Sequence, residues 1–218
     1  MGNIMSELNR TSNEQHLFDY YERTGKPIKI NIGSRNKPLP TYINIDVNPE
    51  NHLADVIDNG FELSKFEDDS IDEVLSIHMF EHLSFKESKL ALECWFKKLK
   101  KGGVLRISVP DAEKSAALML LTGDRTIEAM FVGRQRENDQ WDFHKSVYTK
   151  QWLKTDLEKI GFGDVKEWDW RTQWPHTYCD TFVSAYFPTF KKCFVRDDGR
   201  YVDFGGVLMS LNIEGRKP

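Results

Sequence analysis

Lys29-Ile30-Asn31-Ile32-Gly33-Ser34, followed by Tyr42-Ile43-Asn44-Ile45-Asp46, is the stretch that organises this chain. Ile28, Ile30 and Ile32 form a β-branched run that Gly33 breaks, and the second run repeats the alternation and stops at an acid. Two such runs in succession are expected as the first strands of a doubly wound sheet. A glycine at the carboxyl end of the first strand lets a ligand approach the backbone, because no Cβ stands in the way. An acid at the tip of the second can accept both hydroxyl hydrogens of a ribose. A strand-terminal Asp that only caps a turn would look the same, so the elements downstream of Asp46 have to decide between the two.

Asp72-Glu73-Val74-Leu75-Ser76-Ile77-His78 is a further apolar-rich run, and Glu81-His82-Leu83 leads from it into a segment of helical period from about Lys86 to Lys100. Ala91, Leu92, Trp95, Phe96 and Leu99 fall on one face of that helix. Lys100-Lys101-Gly102-Gly103 is expected to end it, with cations at its negative pole and glycine beyond. Val104-Leu105-Arg106-Ile107-Ser108-Val109 then reads as a strand stopped by Pro110.

In this order the pieces become distinctive. Residues 29 to about 111 resemble the core of the class I S-adenosylmethionine-dependent methyltransferases, in particular a compact branch with INID, DNSID, EHL and LKPGGxLRISVPD-like stretches. Here those stand as Asn44-Ile45-Asp46, Asp68-Asp69-Ser70-Ile71-Asp72, Glu81-His82-Leu83 and Leu99-Lys100-Lys101-Gly102-Gly103-Val104-Leu105-Arg106-Ile107-Ser108-Val109-Pro110-Asp111. Leu208 to Glu214 resembles that branch's last strand. The resemblance implies a doubly wound, mostly parallel seven-stranded α/β sheet with flanking helices and an antiparallel last strand. Two departures stand out. The usual G-x-G turn is Gly33-Ser34-Arg35 here, and Gly33 to Asp46 is shorter than the roughly 20 residues usual between such a turn and its acid. A loop carrying Pro38 and Pro40 is therefore expected where relatives have a helix.

The first 27 residues read as a helical extension, with Leu17, Phe18, Tyr20 and Tyr21 on a helix ended by Gly25 and Pro27, and residues 28–218 as the methyltransferase-like domain. Beyond Asp111 a helix is expected to about Leu121, then an irregular charged insertion over 123–143. Thr149 should cap a helix with Trp152, Leu153, Leu157 and Ile160 on one face, closed by Gly161. Val165 to Trp170 is expected as a strand. The aromatic stretch after it, about 168–190, is expected with 123–148 to cover an acceptor, a homodimer interface being the competing use of the same composition.

The resemblance assigns roles to positions. Gly33 would face the methionine part of S-adenosylmethionine, with Ser34 beside it in the cofactor site, Asp46 its ribose and Asp58 its adenine, although Asn59-Gly60 after Asp58 also suits a turn. Leu53 to Ile57 would be the strand before it. His78 stands at a strand's carboxyl end, where ligands of such sheets bind. His144, with Glu81, would perform proton chemistry at the acceptor, and Trp174, His176 and Tyr178 would bind it. His78-x-x-Glu81-His82 also matches the inverted zinc-protease pattern. His78 falls at a strand end and no third ligand is evident. An acidic-histidine cluster holding a divalent metal occurs among some relatives, but capping and packing account for His82, and no metal is expected.

At 218 residues and 39% hydrophobic content the chain can bury one α/β core. The three cysteines, Cys94, Cys179 and Cys193, lack ligand-like spacing and suit a reduced interior, so a cytoplasmic location is expected. No apolar stretch approaches the roughly 18 residues of a membrane span. The net charge of −4 and a basic cluster confined to Lys97, Lys98, Lys100 and Lys101 argue against a nucleic-acid partner. Methyl transfer to a small polar acceptor, such as a sugar or nucleotide-sugar, is the expected function. A non-catalytic S-adenosylmethionine-binding partner is the alternative, and a nucleic-acid methyltransferase ranks behind both.

Overall fold

The two runs quoted first form adjacent parallel strands, β1 (Lys29–Ile32) and β2 (Ile43–Asp46), with Ile30 opposite Ile43 and Ile32 opposite Ile45. The structure, a computed structural model, describes residues 11–135, 142–173, 185–188, 191–192, 194–195, 201–202 and 205–218. β3 (Val56–Ile57), β4 (Ile71–Ile77), β5 (Leu99–Pro110) and β6 (Gly163–Glu167) continue the sheet. Short strands β7 (Ala185–Phe187), β8 (Lys191–Lys192), β9 (Phe194–Val195), β10 (Tyr201–Val202) and β11 (Val207–Leu208) precede the last one, β12 (Ser210–Arg216). The main sheet has seven strands in the order β3-β2-β1-β4-β5-β12-β6, and β12 runs antiparallel to both neighbours. The order reverses between β1 and β4, so a crevice opens at their carboxyl ends, the usual ligand position in such sheets.

The helices are α1 (Ser12–Thr24), α2 (Phe85–Lys98), α3 (Ala112–Thr122), α4 (Ala129–Val132), α5 (Lys150–Ile160) and α6 (Trp170–Gln173). Alternation along the strands sorts the sheet into two unlike faces. Ile30, Ile32, Ile43, Ile45, Leu105 and Ile107 bury one face against Phe18 of α1, Leu92 and Trp95 of α2 and Leu153 and Leu157 of α5. α1 lies in the amino-terminal segment that reads as a helical extension. Thr11 and Glu14 form its capping box, Gly25 closes it in the left-handed conformation, and Phe18 packs edge-on to Phe66 at 5.1 Å. Burying such an aromatic contributes about 2–3 kcal/mol, which offsets the cost of ordering the segment.

The other face is polar. Asn31, Asn44, Glu73, Arg106, Asn212 and Glu214 are all buried there, beside Leu75. Arg106 Nε donates to Glu214 Oε2 at 3.0 Å and Nη1 donates to Glu73 Oε1, which also accepts from the Tyr42 hydroxyl at 2.7 Å. Lys29 Nζ lies 3.2 Å from the other Glu73 oxygen. Leu39 and Tyr42 from the β1–β2 loop, with Trp168 and Trp170, cover this face beside Leu75. That loop carries no helix, as its prolines suggest. Trp168 and Trp170, which open the expected acceptor-covering stretch, are therefore core residues.

Several boundaries are corrected. Lys100 to Gly103 does not follow α2 as a helix stop: α2 ends at Lys98, and Leu99 already belongs to β5, paired with Ile71 across a register shift. Complete burial of Leu99 outweighs the local helix-ending signal. β3 is two residues long, because His52 and Leu53 lie in a turn and Leu53 is half exposed. β6 stops at Glu167, short of Trp170. On α5, Leu153 and Leu157 are buried as expected but Trp152 is mostly exposed. Thr149 does cap α5, its Oγ accepting from Trp152 N at 3.2 Å. Thr149→Ala is expected to cost about 1 kcal/mol and to lower Tm by roughly 2–4 °C in a scan; an unchanged Tm would mean that the Leu153 and Leu157 contacts hold α5 without the cap.

Candidate active site

The crevice between β1 and β4 is framed by the turn after β1, the end of β2 and the segment after β4. Gly33 has φ +69°, and a Cβ there would stand 2.6 Å from Met79 Cγ, so both the turn and the packing of Met79 call for glycine. Gly33 N and Ser34 N both donate to Ile45 O, at 2.9 and 3.0 Å. Ser34 Oγ is buried and has no hydrogen-bond partner among the described residues.

Asp46 accepts from Arg35 N at 2.7 Å, Asn48 N at 2.9 Å and Asn51 Nδ2 at 2.9 Å. A carboxylate offers about four lone-pair sites, so one is left for a ligand hydroxyl. Asp46 thus also organises the loop around it, a duty the sequence does not reveal. Asp58 accepts from Asn59 N, Ser64 Oγ and Lys65 N at 2.7, 2.9 and 3.1 Å, which is the turn-holding arrangement.

Past β4 the chain turns sharply. His78 has φ +48°, a conformation that L side chains rarely adopt, and it is held from three sides. Its N–H donates to Ser108 O at 2.8 Å, Nε2 is 2.8 Å from Ser210 Oγ, and Nδ1 is 3.1 Å from Glu81 Oε1. The 3₁₀ turn Phe80–His82 follows. Phe80 is clamped between the rings of Trp95 and Tyr148, with centroids at 5.5 and 5.2 Å, and this buries its neighbour Glu81. Ser84 then caps α2 in a capping box with Glu87.

His144 reaches the same place from far along the chain. Lys145 N and Ser146 N both donate to Glu81 O, at 2.9 and 3.1 Å, and Ser146 Oγ donates to Leu83 O at 2.9 Å. His144 N donates to Val132 O, and a Cβ at Gly133 would sit 1.9 Å from Asp142 O, so only glycine permits this approach. The result is a buried carboxylate ringed by imidazoles. Glu81 is 1% exposed, His144 Nε2 lies 3.9 Å from its Oε1, and the His82 and His144 rings meet edge-on at 4.9 Å. Neither Glu81 oxygen accepts a well-formed hydrogen bond among the described residues, although His78 Nδ1 stands close. Burial alone would raise the Glu81 carboxyl; His78 above all, then His82 and His144, hold it below the ordinary carboxylate range. Burial pushes the His144 imidazole down, and the charge of Glu81 only partly restores it, so the ring is a neutral base at physiological pH.

Of the residues expected from sequence, Gly33, Ser34, Asp46 and His78 line the carboxyl ends of β1, β2 and β4, and Glu81 and His144 meet beside them. Asp58 follows β3 as a turn residue. Trp174, His176 and Tyr178 lie outside the described residues. The part His82 plays is what sequence reasoning missed. The EHL and DFHK stretches were each visible, but nothing in either announces that they pair across 62 positions.

Residues 37–107 match a family described as a methyltransferase domain. No curated protein matches the chain by sequence. Among solved structures, a SAM-dependent methyltransferase from Archaeoglobus fulgidus is similar at 19% identity and TM-score 0.53, covering 94% of each chain. One from Thermotoga maritima aligns at 14% identity and TM-score 0.55, covering 99% of this chain and 100% of its own. One from Methanosarcina mazei aligns at 16% identity and TM-score 0.53, covering 86% and 91%. The sheet order with its antiparallel β12 is the class I, Rossmann-like methyltransferase fold. The matched segment 37–107 spans β2, β3, β4 and most of β5 of that sheet. No helix among the described residues is long and apolar enough to cross a membrane.

Proposed function

We propose that this chain is an S-adenosylmethionine-dependent methyltransferase that transfers the methyl group to a small polar acceptor, a sugar or nucleotide-sugar being the class that suits it best, and that the acceptor lies over Glu81 and His144. The observation that carries the reading is the buried, hydrogen-bond-poor Glu81 carboxylate among imidazoles at the end of β4. A structural ion pair would not need a strained His78 or a loop drawn in from residue 144.

The residues present fit the methyl donor. Ser34 Oγ is a buried hydroxyl without a partner among the described residues, and Asp46 retains one acceptor site. When bound, S-adenosylmethionine supplies an electrophilic sulfonium methyl, and the electron pair of the broken S–C bond stays on sulfur. Ser34 would hold the polar methionine part, and Asp46 would take one ribose hydroxyl. Asp58, its carboxylate already engaged, would border the adenine. On the acceptor side, His144 Nε2 removes the hydroxyl or amine proton, and Glu81 stabilises the imidazolium that results. Buried Phe80 and Tyr148 keep water from that side of the cluster.

A small acceptor is also favoured by how the lysine cluster is used. Lys97 and Lys98 both reach Asp68, at 2.9 and 3.2 Å, and Lys100 reaches Asp72 at 2.8 Å, so these cations are already paired rather than presented to phosphates.

The test is formation of S-adenosylhomocysteine from S-adenosylmethionine in the presence of hydroxyl- and amine-bearing sugars and nucleotide-sugars, with RNA and DNA as parallel substrates. Turnover on the small acceptors is expected. Tight binding of S-adenosylmethionine with no turnover on any of them would favour the non-catalytic alternative, and turnover on nucleic acid alone would overturn the acceptor class. In calorimetry, Asp46→Asn is expected to weaken S-adenosylmethionine binding by a charge-assisted bond of about 1.5–3 kcal/mol, roughly tenfold or more. It should also lower Tm, since an amide nitrogen then faces the donors of Arg35, Asn48 or Asn51. Unchanged affinity would place the ribose on another residue.

A further inference from the structure

We propose that the hollow between α2 and α5 is a second binding site, separate from the crevice between β1 and β4, for a small zwitterion that carries an ammonium and an acidic group on an apolar body. The hollow has a volume of about 310 Å³, at the lower end of what small-molecule sites enclose. Its walls include Phe85, the first residue of α2, and Trp152, in the first turn of α5, and Tyr148 lies at its base. Phe85 is 71% exposed and Trp152 is 56% exposed. Two large aromatic side chains left open to water around one concavity form an apolar patch of the kind that marks a binding surface.

The polar groups are arranged for a ligand of both signs. Trp152, Asp156 and Lys159 follow one another at intervals of four and three residues, so they stand on one face of α5, the face that lines the hollow. Asp156 and Lys159 are neighbours of opposite charge, yet neither forms an ion pair or a hydrogen bond among the described residues. On the same helix Lys154 and Glu158 do pair, at 3.7 Å. The Trp152 indole N–H is likewise without an acceptor among the described residues. Asp156 and the ring faces of Phe85 and Trp152 would hold an ammonium group. Lys159 and the indole N–H would hold a carboxylate or phosphate. A simple cation would be repelled by Lys159 and a simple anion by Asp156. Charge complementarity therefore selects a molecule that carries both.

The hollow is also preformed, which lowers the cost of filling it. Ser84 caps α2 and Thr149 caps α5, and these caps fix the turns that carry Phe85 and Trp152. Tyr148 is buried, its hydroxyl accepts from Ser146 Oγ at 3.0 Å, and its ring packs on Phe80. Glu81, His82 and His144 do not line the hollow, so its occupant would not touch the residues proposed for methyl transfer.

The test is calorimetric titration of the full chain with phosphocholine, with choline and inorganic phosphate as probes of a single charge. One phosphocholine per chain is expected, and choline and phosphate should each bind at least about tenfold more weakly, since each keeps one of the two charge contacts. Asp156→Asn, Lys159→Gln and Trp152→Ala should each weaken phosphocholine binding about tenfold. All three side chains are exposed, so circular dichroism and S-adenosylmethionine affinity should stay as in the wild type, and exposed His52→Ala should change nothing. Absence of saturable phosphocholine binding, or unchanged affinity in any of the three variants, overturns the proposal. Choline or phosphate binding as tightly as phosphocholine would make the hollow a site for one charge and overturn the zwitterion. Loss of S-adenosylmethionine affinity in the variants would make the hollow part of the methyl-donor site, and binding to phosphatidylcholine vesicles without binding of free phosphocholine would make it a membrane-facing surface; either result also overturns it.

Discussion

Glu81→Gln is expected to lower turnover about 10²- to 10⁴-fold while S-adenosylmethionine affinity stays within about twofold of wild type. The amide matches the carboxylate in volume, so the packing of Phe80 against Trp95 and Tyr148 survives. What is lost is the negative charge at the centre of the imidazoles. Without it, nothing stabilises a charged His144 ring. The pH dependence adds a second readout. Burial lowers the His144 pKa and Glu81 raises it again, so removing the Glu81 charge should move the imidazole further down. The acid limb of kcat/KM should therefore shift to lower pH in Glu81→Gln, even as the plateau falls. A plateau within threefold of wild type would exclude Glu81 from the chemistry. A fallen plateau with an unmoved acid limb would mean that a group other than His144 titrates.

Arg106→Met should have the largest effect on stability. Arg106 lies between Glu73 and Glu214 on the polar sheet face, and all three are buried. Removing one partner of a buried ion network leaves uncompensated charge, which costs about 3–5 kcal/mol. The loss should depend on pH in a defined way. Burial alone would raise the Glu73 carboxyl, but Arg106, Tyr42 and Lys29 hold it below its ordinary value. A carboxyl with a lowered folded-state pKa contributes stability that is present above its unfolded pKa and is lost as pH falls through the folded value. In Arg106→Met that contribution is gone. The difference in unfolding free energy between wild type and variant should be largest near neutral pH and shrink below about pH 4.5. Denaturant titrations across this range measure it. A constant difference, or one below about 1 kcal/mol, would mean that water reaches the two carboxylates.

The apolar half of this protein was legible along the chain. Ile30, Ile32, Ile43 and Ile45 announce their strands by alternation, Gly33 and Gly161 mark turns, and Thr149 marks the start of α5, because each signal acts within a few residues. Helix and strand ends were less readable. Leu99 looks like the last turn of a helix, yet its burial against the sheet draws it into β5. Trp168 and Trp170 resemble binding-site aromatics and prove to be core, since burial is a property of what packs on them.

The polar half was decided in three dimensions. Glu73, Arg106 and Glu214 are unremarkable charges in sequence, and strand pairing alone turns them into a buried network. The same holds at the site. Position along the chain was enough to place Gly33, Asp46 and His78 at strand ends, because the element order sets where a doubly wound sheet opens. The sequence also named Glu81 and His144 separately. Only the folded chain sets His82 and His144 edge to edge beside Glu81, because that contact depends on Gly133 admitting the backbone of Asp142 and on Lys145 and Ser146 bonding the carbonyl of Glu81. Local periodicity reports which face of an element is buried; it carries no information about which distant loop will supply the hydrogen bonds that close a site.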